Sequence, residues 1–260
     1  MDFPDRNIVV TGAGRGIGEA LARTFHDRGA NVVVADVQGV DEVASTMERA
    51  TGITADVSTE EGNRRLVEQA REQLGSIDLF FANAGVGIGG GILETPESDW
   101  DTAFAVNVHA HRWAAKYLLP DWLERGEGYF CSTASAAGLL AQIGSGPYTL
   151  TKRAAVAFAE YLAITHGDDG VKVTCLCPQG VNTAMLNAGD DGLSGGDVVR
   201  AAGVVLEPAD VAEEVAAAIE TERFFVLPHP EVADYVALKA TDPERWLGGM
   251  RKLQRRVARG

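Results

Sequence analysis

Short runs of apolar, mostly β-branched residues alternate with longer amphipathic segments along most of the chain. The short runs show little polar alternation, which is typical of strands covered on both faces. They predict seven strands, at residues 7–11, 31–36, 52–55, 77–82, 128–132, 171–176 and 223–227. Four longer segments carry apolar residues at helical spacing, at residues 59–74, 98–124, 148–166 and 208–221. This alternation predicts an α/β fold with a doubly wound, seven-stranded parallel sheet and helices on both faces.

We find no internal repeat and no linker between domains, so the pattern predicts one domain over residues 1–228 with a helical extension at residues 229–260. A Gly/Asp-rich stretch at 187–203 is expected to be a mobile part of a substrate loop at about 184–206. The extension carries apolar side chains that need cover. We expect them to pack on a neighbouring subunit or to close its substrate entrance: Tyr235, Trp246, Leu247, Met250 and Leu253.

The charge balance argues against two classes of partner. The formal net charge is -14, which would repel phosphate backbones and anionic headgroups, so neither nucleic acid nor membrane binding is expected. No apolar stretch approaches the roughly 18 residues of a membrane span. A basic run near the end is interpreted as a solvated helix face, and its members are Arg251, Lys252, Arg255, Arg256 and Arg259.

The amino terminus reaches a predicted strand by Asn7, which leaves no room for a signal peptide. Cys131, Cys175 and Cys177 are too few and too apolar in context for a disulfide framework, and their spacing is not a zinc pattern. We expect buried thiols in a reducing cytoplasm, and no metal site.

A glycine-rich turn, TGAGRGIG at residues 11–18, lies between the first predicted strand and a helix. Glycines in this position let backbone N–H groups approach a pyrophosphate, which then rests at the positive end of the helix. The spacing differs from the plain G-x-G-x-x-G, and a flexible loop would be the alternative interpretation. The placement after a strand favours a Rossmann-type nucleotide site.

Asp36 stands at the end of the second predicted strand. A carboxylate there can accept hydrogen bonds from both ribose hydroxyls of adenosine, and it would repel a 2′-phosphate. Arg15, beside the glycines, could instead hold that phosphate. Because Val37 and Gln38 offer no second cation, the charges favour NAD over NADP.

Two Tyr-x-x-x-Lys pairs place a phenol and an ammonium one helical turn apart, at Tyr148 and Lys152 and at Tyr235 and Lys239. A neighbouring ammonium favours the phenolate, which would move a tyrosine toward the working range of a proton-transfer residue. The second pair follows the last strand, and we interpret it as helix surface and aromatic packing.

Three more polar residues are candidates for the same site as Tyr148 and Lys152. Ser135 lies in the loop that leaves the fifth strand, Asn107 lies within the 98–124 helix, and Asn83 begins an Asn-Ala-Gly segment after the fourth strand. Each also has a structural interpretation: Asn107 could cap or bend its helix, and Ser135 could be a turn residue. Together, the set indicates a catalytic site at the carboxyl ends of the strands.

These pieces, with Asp56-Val57 and residues 178–183 (PQGVNT), resemble the short-chain dehydrogenase/reductase superfamily over about residues 5–228. The resemblance implies a nicotinamide-dependent oxidoreductase in which Tyr148 is the general acid/base and Ser135 hydrogen-bonds the substrate oxygen. It implies that Lys152 lowers the tyrosine pKa and holds the nicotinamide ribose, and that Asn107 anchors a proton-relaying water. The cofactor residues it implies are Gly12, Arg15, Gly16, Ile17, Gly18, Asp36, Asp56, Val57, Asn83, Ala84, Gly85, Tyr148, Lys152, Pro178, Val181 and Thr183.

Two positions depart from the family pattern: Ala82 stands where a first Asn is frequent, and Gln179 where Gly usually follows the proline. Neither change removes a predicted catalytic group. The expected activity is hydride transfer between NAD and a secondary alcohol or ketone, in a homotetramer or homodimer. The alternatives are a non-catalytic dinucleotide-binding sensor or scaffold, and an isomerase or dehydratase that uses bound NAD.

The substrate is expected to be bulky and apolar, because the 184–206 loop could fold over a hydrophobic ligand; ordinary loop packing is the alternative. The loop's apolar side chains are Met185, Leu186, Leu193, Val198, Val199, Val204 and Val205. Leu139, Leu140 and Ile143 are expected on the opposite wall.

Overall fold

A seven-stranded parallel sheet forms the centre of the protein. The computed structural model describes residues 1–187, 200 and 203–257. The strands of the sheet are β1 (Asn7–Thr11), β2 (Asn31–Asp36), β3 (Ala50–Thr54), β4 (Leu79–Ala82), β5 (Gly128–Thr133), β6 (Val171–Leu176) and β9 (Phe225–Val226). They lie in the order β3-β2-β1-β4-β5-β6-β9. The doubly wound sheet predicted from the sequence is confirmed.

The helices cover both faces of the sheet. They are α1 (Gly16–Asp27), α2 (Val40–Ala44), α3 (Glu60–Leu74), α4 (Glu97–Phe104), α5 (Ala110–Arg125), α6 (Ala136–Leu139), α7 (Gly146–His166), α8 (Ala184–Asn187), α9 (Pro208–Glu220), α10 (Glu231–Thr241) and α11 (Pro243–Val257). None of the helices in the described ranges is long and apolar enough to cross a membrane.

Alternate residues of the central strand enter opposite cores, as the period of a β-strand requires. Ile8 and Val10 of β1 join the core beneath α1 and α9, which includes Leu21. Val9 joins the core beneath α3, α5 and α7, which includes Leu118. All three strand residues are fully buried, which explains why β1 is continuously apolar.

The predicted helix over 98–124 is interrupted. A π-helical turn, Ala105–His109, separates α4 from α5, and Asn107 lies in the middle of this turn. The π turn widens the backbone locally without ending the helix.

The 184–206 region is partly described. It begins with α8 and ends with β8 (Val205–Leu206), which pairs in parallel with β7 (Gly180–Val181) as a second, two-stranded sheet. This small sheet was not predicted. Leu193, Val198 and Val199 lie outside the described residues, as does Arg259 of the basic run; the run's other residues are exposed on α11 as expected.

Candidate functional site

A large cavity lies at the carboxyl ends of the strands, where β1 and β4 send their connections to opposite faces of the sheet. Its volume is about 1620 Å³, and it extends from the glycine turn to the last helices of the chain. Every predicted cofactor-binding residue lines it, and so do Ser135, Tyr148 and Lys152. In an open α/β sheet this is the position where nucleotides bind.

The glycine turn is shaped by close packing. Gly12 has φ +63°, and a Cβ added there would lie 2.7 Å from the Ala84 Cα, too close for any other residue. At the start of α1, the Arg15 side chain makes no capping hydrogen bond. The first N–H groups of a helix need acceptors, so this uncapped end suits an anion such as a pyrophosphate.

Asp36 lies beside the turn. One carboxylate oxygen accepts a hydrogen bond from the Gly14 N–H at 3.0 Å, and the other accepts one from the Val37 N–H at 2.7 Å. Arg15 and Gln38 line the same part of the cavity. Two backbone N–H groups therefore fix the Asp36 carboxylate at the edge of the crevice. The glycine turn contributes one basic side chain, Arg15, to the same cavity.

The segment after β3 forms the next part of the wall. Asp56 Oδ1 accepts a hydrogen bond from the Ser58 N–H at 2.9 Å, and the Val57 side chain is buried against the core behind it. Both residues line the cavity next to Asp36, where the resemblance implies that adenine would lie.

Thr11 ties the turn to the segment after β4. Its hydroxyl donates to Phe81 O at 3.3 Å and accepts from the N–H groups of Asn83 and Ala84 at 3.0 and 3.1 Å. The Asn83 amide in turn donates to Thr11 O at 3.0 Å and accepts from the Thr133 hydroxyl at 2.9 Å. These bonds fix the ends of β1, β4 and β5 relative to one another along the cavity floor.

Ser135 is the N-cap residue of the single-turn helix α6. Its hydroxyl accepts from the Ala137 N–H at 3.1 Å and donates to Pro178 O at 3.3 Å. The side chain is buried, and its hydroxyl also interacts with the phenol of Tyr148. The capping position thus fixes the hydroxyl beside the tyrosine.

Tyr148 and Lys152 lie one turn apart near the start of α7, where the Ser145 side chain caps the helix. The Lys152 Nζ donates to Thr133 O at 3.0 Å and lies 5.6 Å from the centre of the Tyr148 ring. Burial lowers the pKa of Lys152 to about 8. Burial also raises the pKa of Tyr148, and the interaction with Ser135 opposes this rise. Desolvation, rather than the ammonium, therefore has the largest influence on the tyrosine in the protein alone.

Asn107 lies behind the cavity wall rather than in it, and it is fully buried. Its Oδ1 accepts from the Val86 N–H at 2.8 Å, and its Nδ2 donates to Val86 O at 2.9 Å and to the Thr151 hydroxyl at 3.1 Å. A Cβ added at Gly85 would lie 3.2 Å from the Lys152 Nζ and 3.3 Å from the Asn107 Oδ1. The lysine and the asparagine thus face the same narrow space beside Gly85.

The segment 178–183 closes the far side. Thr183 lies against the glycine turn, since its Cγ2 would be 3.3 Å from a Cβ at Gly16. At Gln179, one departure from the family pattern, the backbone N–H donates to His229 Nδ1 at 3.2 Å. The buried Gln179 Nε2 has no hydrogen-bond partner among the described residues.

His111 is a buried residue near the site that the sequence analysis did not predict. Its Nδ1 lies 3.1 Å from the Ser132 Oγ, and burial, with the charge of Lys152, lowers its pKa to about 3. It is therefore neutral at physiological pH. His111 thus adds no second positive charge near Lys152.

The substrate end of the cavity agrees in part with expectation. Leu140, Met185 and Leu186 line it, whereas Leu139 packs on the core, and Ile143, Val204 and Val205 are not part of the wall.

The second Tyr-x-x-x-Lys pair was interpreted as helix surface and aromatic packing. Tyr235 is exposed and the Lys239 Nζ lies over the Trp246 ring, as this interpretation requires, but the pair also borders the cavity. Tyr235 lines the cavity, and the Lys239 Nζ donates to Leu139 O and Leu140 O at 2.7 and 2.8 Å. Met250 and Leu253 of α11 also reach the cavity. The chain's own last helices therefore border the site. The sequence led us to expect these apolar side chains to pack on a neighbouring subunit or to close its substrate entrance, whereas Tyr235, Met250 and Leu253 border the cavity of their own chain.

The described residues fit a dinucleotide: an uncapped helix end faces the glycine turn, a carboxylate lies at the expected ribose position, and a lysine faces a slot that any side chain at Gly85 would fill. No group of three or more His, Cys, Asp or Glu side chains in the described ranges could hold a metal ion. The cysteines in this part of the chain are buried and unpaired, with the Sγ atoms of Cys175 and Cys177 3.8 Å apart.

Comparison with known proteins gives a consistent result. Meso-2,3-butanediol dehydrogenase of Serratia marcescens is 38% identical over 191 residues, which cover 72% of this chain and 76% of that protein. The 1-deoxy-11-beta-hydroxypentalenate dehydrogenase of Streptomyces exfoliatus is 37% identical over 224 residues, 80% of each chain. A short-chain dehydrogenase/reductase of Burkholderia phymatum, solved in complex with NAD, superimposes with a TM-score of 0.84 at 31% identity, covering 94% of this chain and 96% of that one. The model of the short chain dehydrogenase family matches residues 6–193. The chain therefore belongs to the short-chain dehydrogenase/reductase family of oxidoreductases.

Proposed function

We propose that this protein is an NAD-dependent dehydrogenase or reductase that interconverts a secondary alcohol and a ketone, with Tyr148 as the general acid/base. One observation carries the proposal: Ser135, Tyr148 and Lys152, from two separate segments of the chain, meet in the wall of a crevice whose other end is built for a dinucleotide. A binding module would need the glycine turn but none of these three side chains.

Bound NAD would accept or supply the hydride, and the chain's own residues would manage the oxygen and its proton. The Ser135 hydroxyl interacts with the Tyr148 phenol. Both would donate hydrogen bonds to a substrate oxygen as charge develops on it, and Ser135 would give up its bond to Pro178 O to do so. Tyr148 would deliver the proton in reduction and remove it in oxidation.

Lys152 would support the tyrosine in both directions. Its pKa of about 8 leaves it mostly protonated at pH 7, so its charge would favour the phenolate once a cofactor covers the site. Asn107 would anchor a water for the relay of protons to Lys152, since its side chain faces the same space beside Gly85.

The preference for NAD follows from Asp36. Its carboxylate is held in place by two backbone N–H groups, so it would accept hydrogen bonds from ribose hydroxyls without reorganisation. A 2′-phosphate at the same place would face this negative charge with Arg15 as its basic neighbour from the turn. We infer that the repulsion by Asp36 outweighs the attraction by Arg15, so that NAD binds in preference to NADP.

A bulky, apolar substrate is the class that the cavity favours. Leu140, Met185 and Leu186 line the same cavity as Tyr148. The names of two relatives, a butanediol dehydrogenase and a hydroxypentalenate dehydrogenase, show that related sites act on alcohols of different size. The apolar wall is the reason for preferring the larger class here.

We also propose a homo-oligomer, a dimer or a tetramer. The outer face of α7 exposes Leu150, Tyr161 and Ile164, and the Ile164 side chain is 84% exposed. An apolar stripe of this kind on a covering helix is typical of an interface.

Replacement of Tyr148 by Phe tests the catalytic assignment. With a panel of secondary alcohols and ketones, and with the absorbance of reduced cofactor as the readout, turnover should fall at least about 100-fold. The binding of NAD should remain, because the variant leaves the glycine turn, Asp36 and the other cofactor residues along the crevice unchanged. Tyr161→Phe, which removes the same atom from an exposed ring on the same helix, is the matched control and should keep wild-type turnover.

Near wild-type turnover in the Tyr148→Phe variant would refute the role of this residue. A wild-type protein that binds NAD tightly but turns over no alcohol or ketone would favour the sensor or scaffold instead.

A further inference from the structure

The last two helices of the chain form a hairpin that borders the substrate end of the cavity. Tyr235 of α10 and Met250 and Leu253 of α11 line the cavity together with Leu140 and Met185. The wall is therefore built in part by this chain's own carboxyl-terminal residues, and these residues are largely apolar at the cavity surface.

The hairpin is attached to the rest of the protein by few contacts. Val232 is the buried residue of α10, and Trp246 that of α11, in the described part of these helices. The two helices pack chiefly on each other. A single strong attachment can therefore decide whether the hairpin stays against the cavity or moves away from it.

Lys239 provides such an attachment. Its Nζ donates hydrogen bonds to Leu139 O and Leu140 O at 2.7 and 2.8 Å. Arg153 of α7 donates to Gly138 O and Leu139 O at 3.0 and 3.2 Å. The last carbonyl groups of a helix lack partners within it and attract cations, so two cations hold the end of α6.

A ring covers the lysine from the other side. The Lys239 Nζ lies 4.9 Å from the centre of the Trp246 ring, and Trp246 is nearly buried. One ammonium group thus connects α6, α10 and α11. The other end of α6 is Ser135, whose hydroxyl lies beside Tyr148.

We propose that Lys239 is a positioning residue that holds the carboxyl-terminal hairpin against α6, and that Tyr235, Met250 and Leu253 thereby determine which substrates fit. The substrate class is a secondary alcohol or ketone on a bulky apolar skeleton, one large enough to reach from the Tyr148 phenol to the hairpin. This inference rests on the proposed function for its reaction, but the attachment of the hairpin does not depend on any turnover.

The test compares Lys239→Met with wild type on two substrates, 2-butanol and a polycyclic secondary alcohol. Loss of the hairpin wall should raise KM for the polycyclic alcohol about 10-fold, the usual effect of losing apolar contacts in a pocket, with little change for 2-butanol. Lys239→Arg should keep the wild-type ratio of the two KM values, because a guanidinium can also donate to two carbonyl groups. Lys172→Met, at an exposed lysine paired with Glu222, is the matched control and should change neither value.

Two measurements without turnover separate this inference from the proposed function. Amide hydrogen exchange in residues 231–257 should be faster in Lys239→Met than in wild type. Tyr235→Ala should leave exchange unchanged yet weaken the binding of a polycyclic ketone to the NAD complex, measured by tryptophan fluorescence.

Equal losses for both alcohols in Lys239→Met would mean that the lysine acts on the catalytic turn rather than on specificity, and would overturn the inference. Unchanged exchange in residues 231–257 would overturn the attachment. If no alcohol is turned over by wild type but exchange and ketone binding respond as expected, the proposed reaction fails while the role of the hairpin stands.

Discussion

Replacing Lys152 by Met should make the cofactor-free protein more stable while abolishing its proposed activity. The lysine is 2% exposed, and its Nζ makes one hydrogen bond in the described structure, to Thr133 O. Burial lowers its pKa from 10.5 to about 8. At pH 7 the folded protein therefore contains a buried, charged ammonium group, and the loss of its hydration destabilises the fold.

The size of the effect follows from this pKa. The gap between 10.5 and about 8 corresponds to about 3 kcal/mol of destabilisation at pH 7. Methionine fills a similar volume without charge, but the variant loses the hydrogen bond to Thr133 O and leaves that carbonyl unpaired, which costs about 1 to 2 kcal/mol. The net gain should be about 1 to 2 kcal/mol, with Tm rising by about 2 to 4 °C for each kcal/mol.

The pH dependence gives the sharper test. Between pH 8 and 10.5 the unfolded chain keeps the lysine proton while the folded chain releases it, so the destabilisation by Lys152 weakens as pH rises through this window. The stability of wild type relative to Lys152→Met should therefore improve by about 2 kcal/mol from pH 7 to pH 9.5. Below about pH 7 the difference between the two proteins should be nearly constant, because the lysine is then protonated in both states.

Urea denaturation of both proteins at pH 7 and pH 9.5, at equal ionic strength and without NAD, measures this difference. Lys172→Met, which removes an exposed lysine, should follow wild type at both pH values. A difference between Lys152→Met and wild type that is the same at both pH values would refute the argument from charge burial.

Two further predictions concern the cofactor and the assembly. Asp36→Asn keeps an acceptor for the Gly14 N–H but removes the charge, so the ratio of kcat/KM for NAD to that for NADP should fall at least about 10-fold; an unchanged ratio would assign the preference elsewhere. Ile164→Glu places a charge in the exposed stripe of α7 and should lower the mass found by sedimentation, whereas Lys172→Glu should not. The same mass in all three proteins would exclude this face as the interface.

The sheet and the cofactor crevice could be predicted because their signals are local. Ile8, Val9 and Val10 are apolar since β1 is covered on both faces, and the glycines of residues 11–18 follow it directly. Once the strand order is known, the carboxyl ends of the strands must meet at one edge. The positions of Asp36 and Ser135 beside the crevice follow from this geometry.

Other features depend on contacts between distant segments and could not be predicted in this way. The π turn at residues 105–109 accompanies hydrogen bonds between Asn107 and Val86, and no local pattern marks it. Tyr235 and Lys239 have the spacing of a surface pair on an amphipathic helix, but the path of the chain after β9 brings them back to α6. The helix period shows which side chains share a face, and tertiary structure decides what that face meets.

The π turn also shows how this helix accommodates an extra residue. A helix turns by about 100° per residue, so one residue added to a regular helix would rotate everything on one side of it against the other. The π turn at Ala105–His109 holds one residue more than an α-helical turn, so it absorbs this residue locally. Leu118 and Trp122 can therefore stay fully buried while Asn107 keeps its contacts with Val86. A residue inserted into the regular part of α5 has no such turn beside it, and we expect that insertion to be tolerated far less well than a substitution.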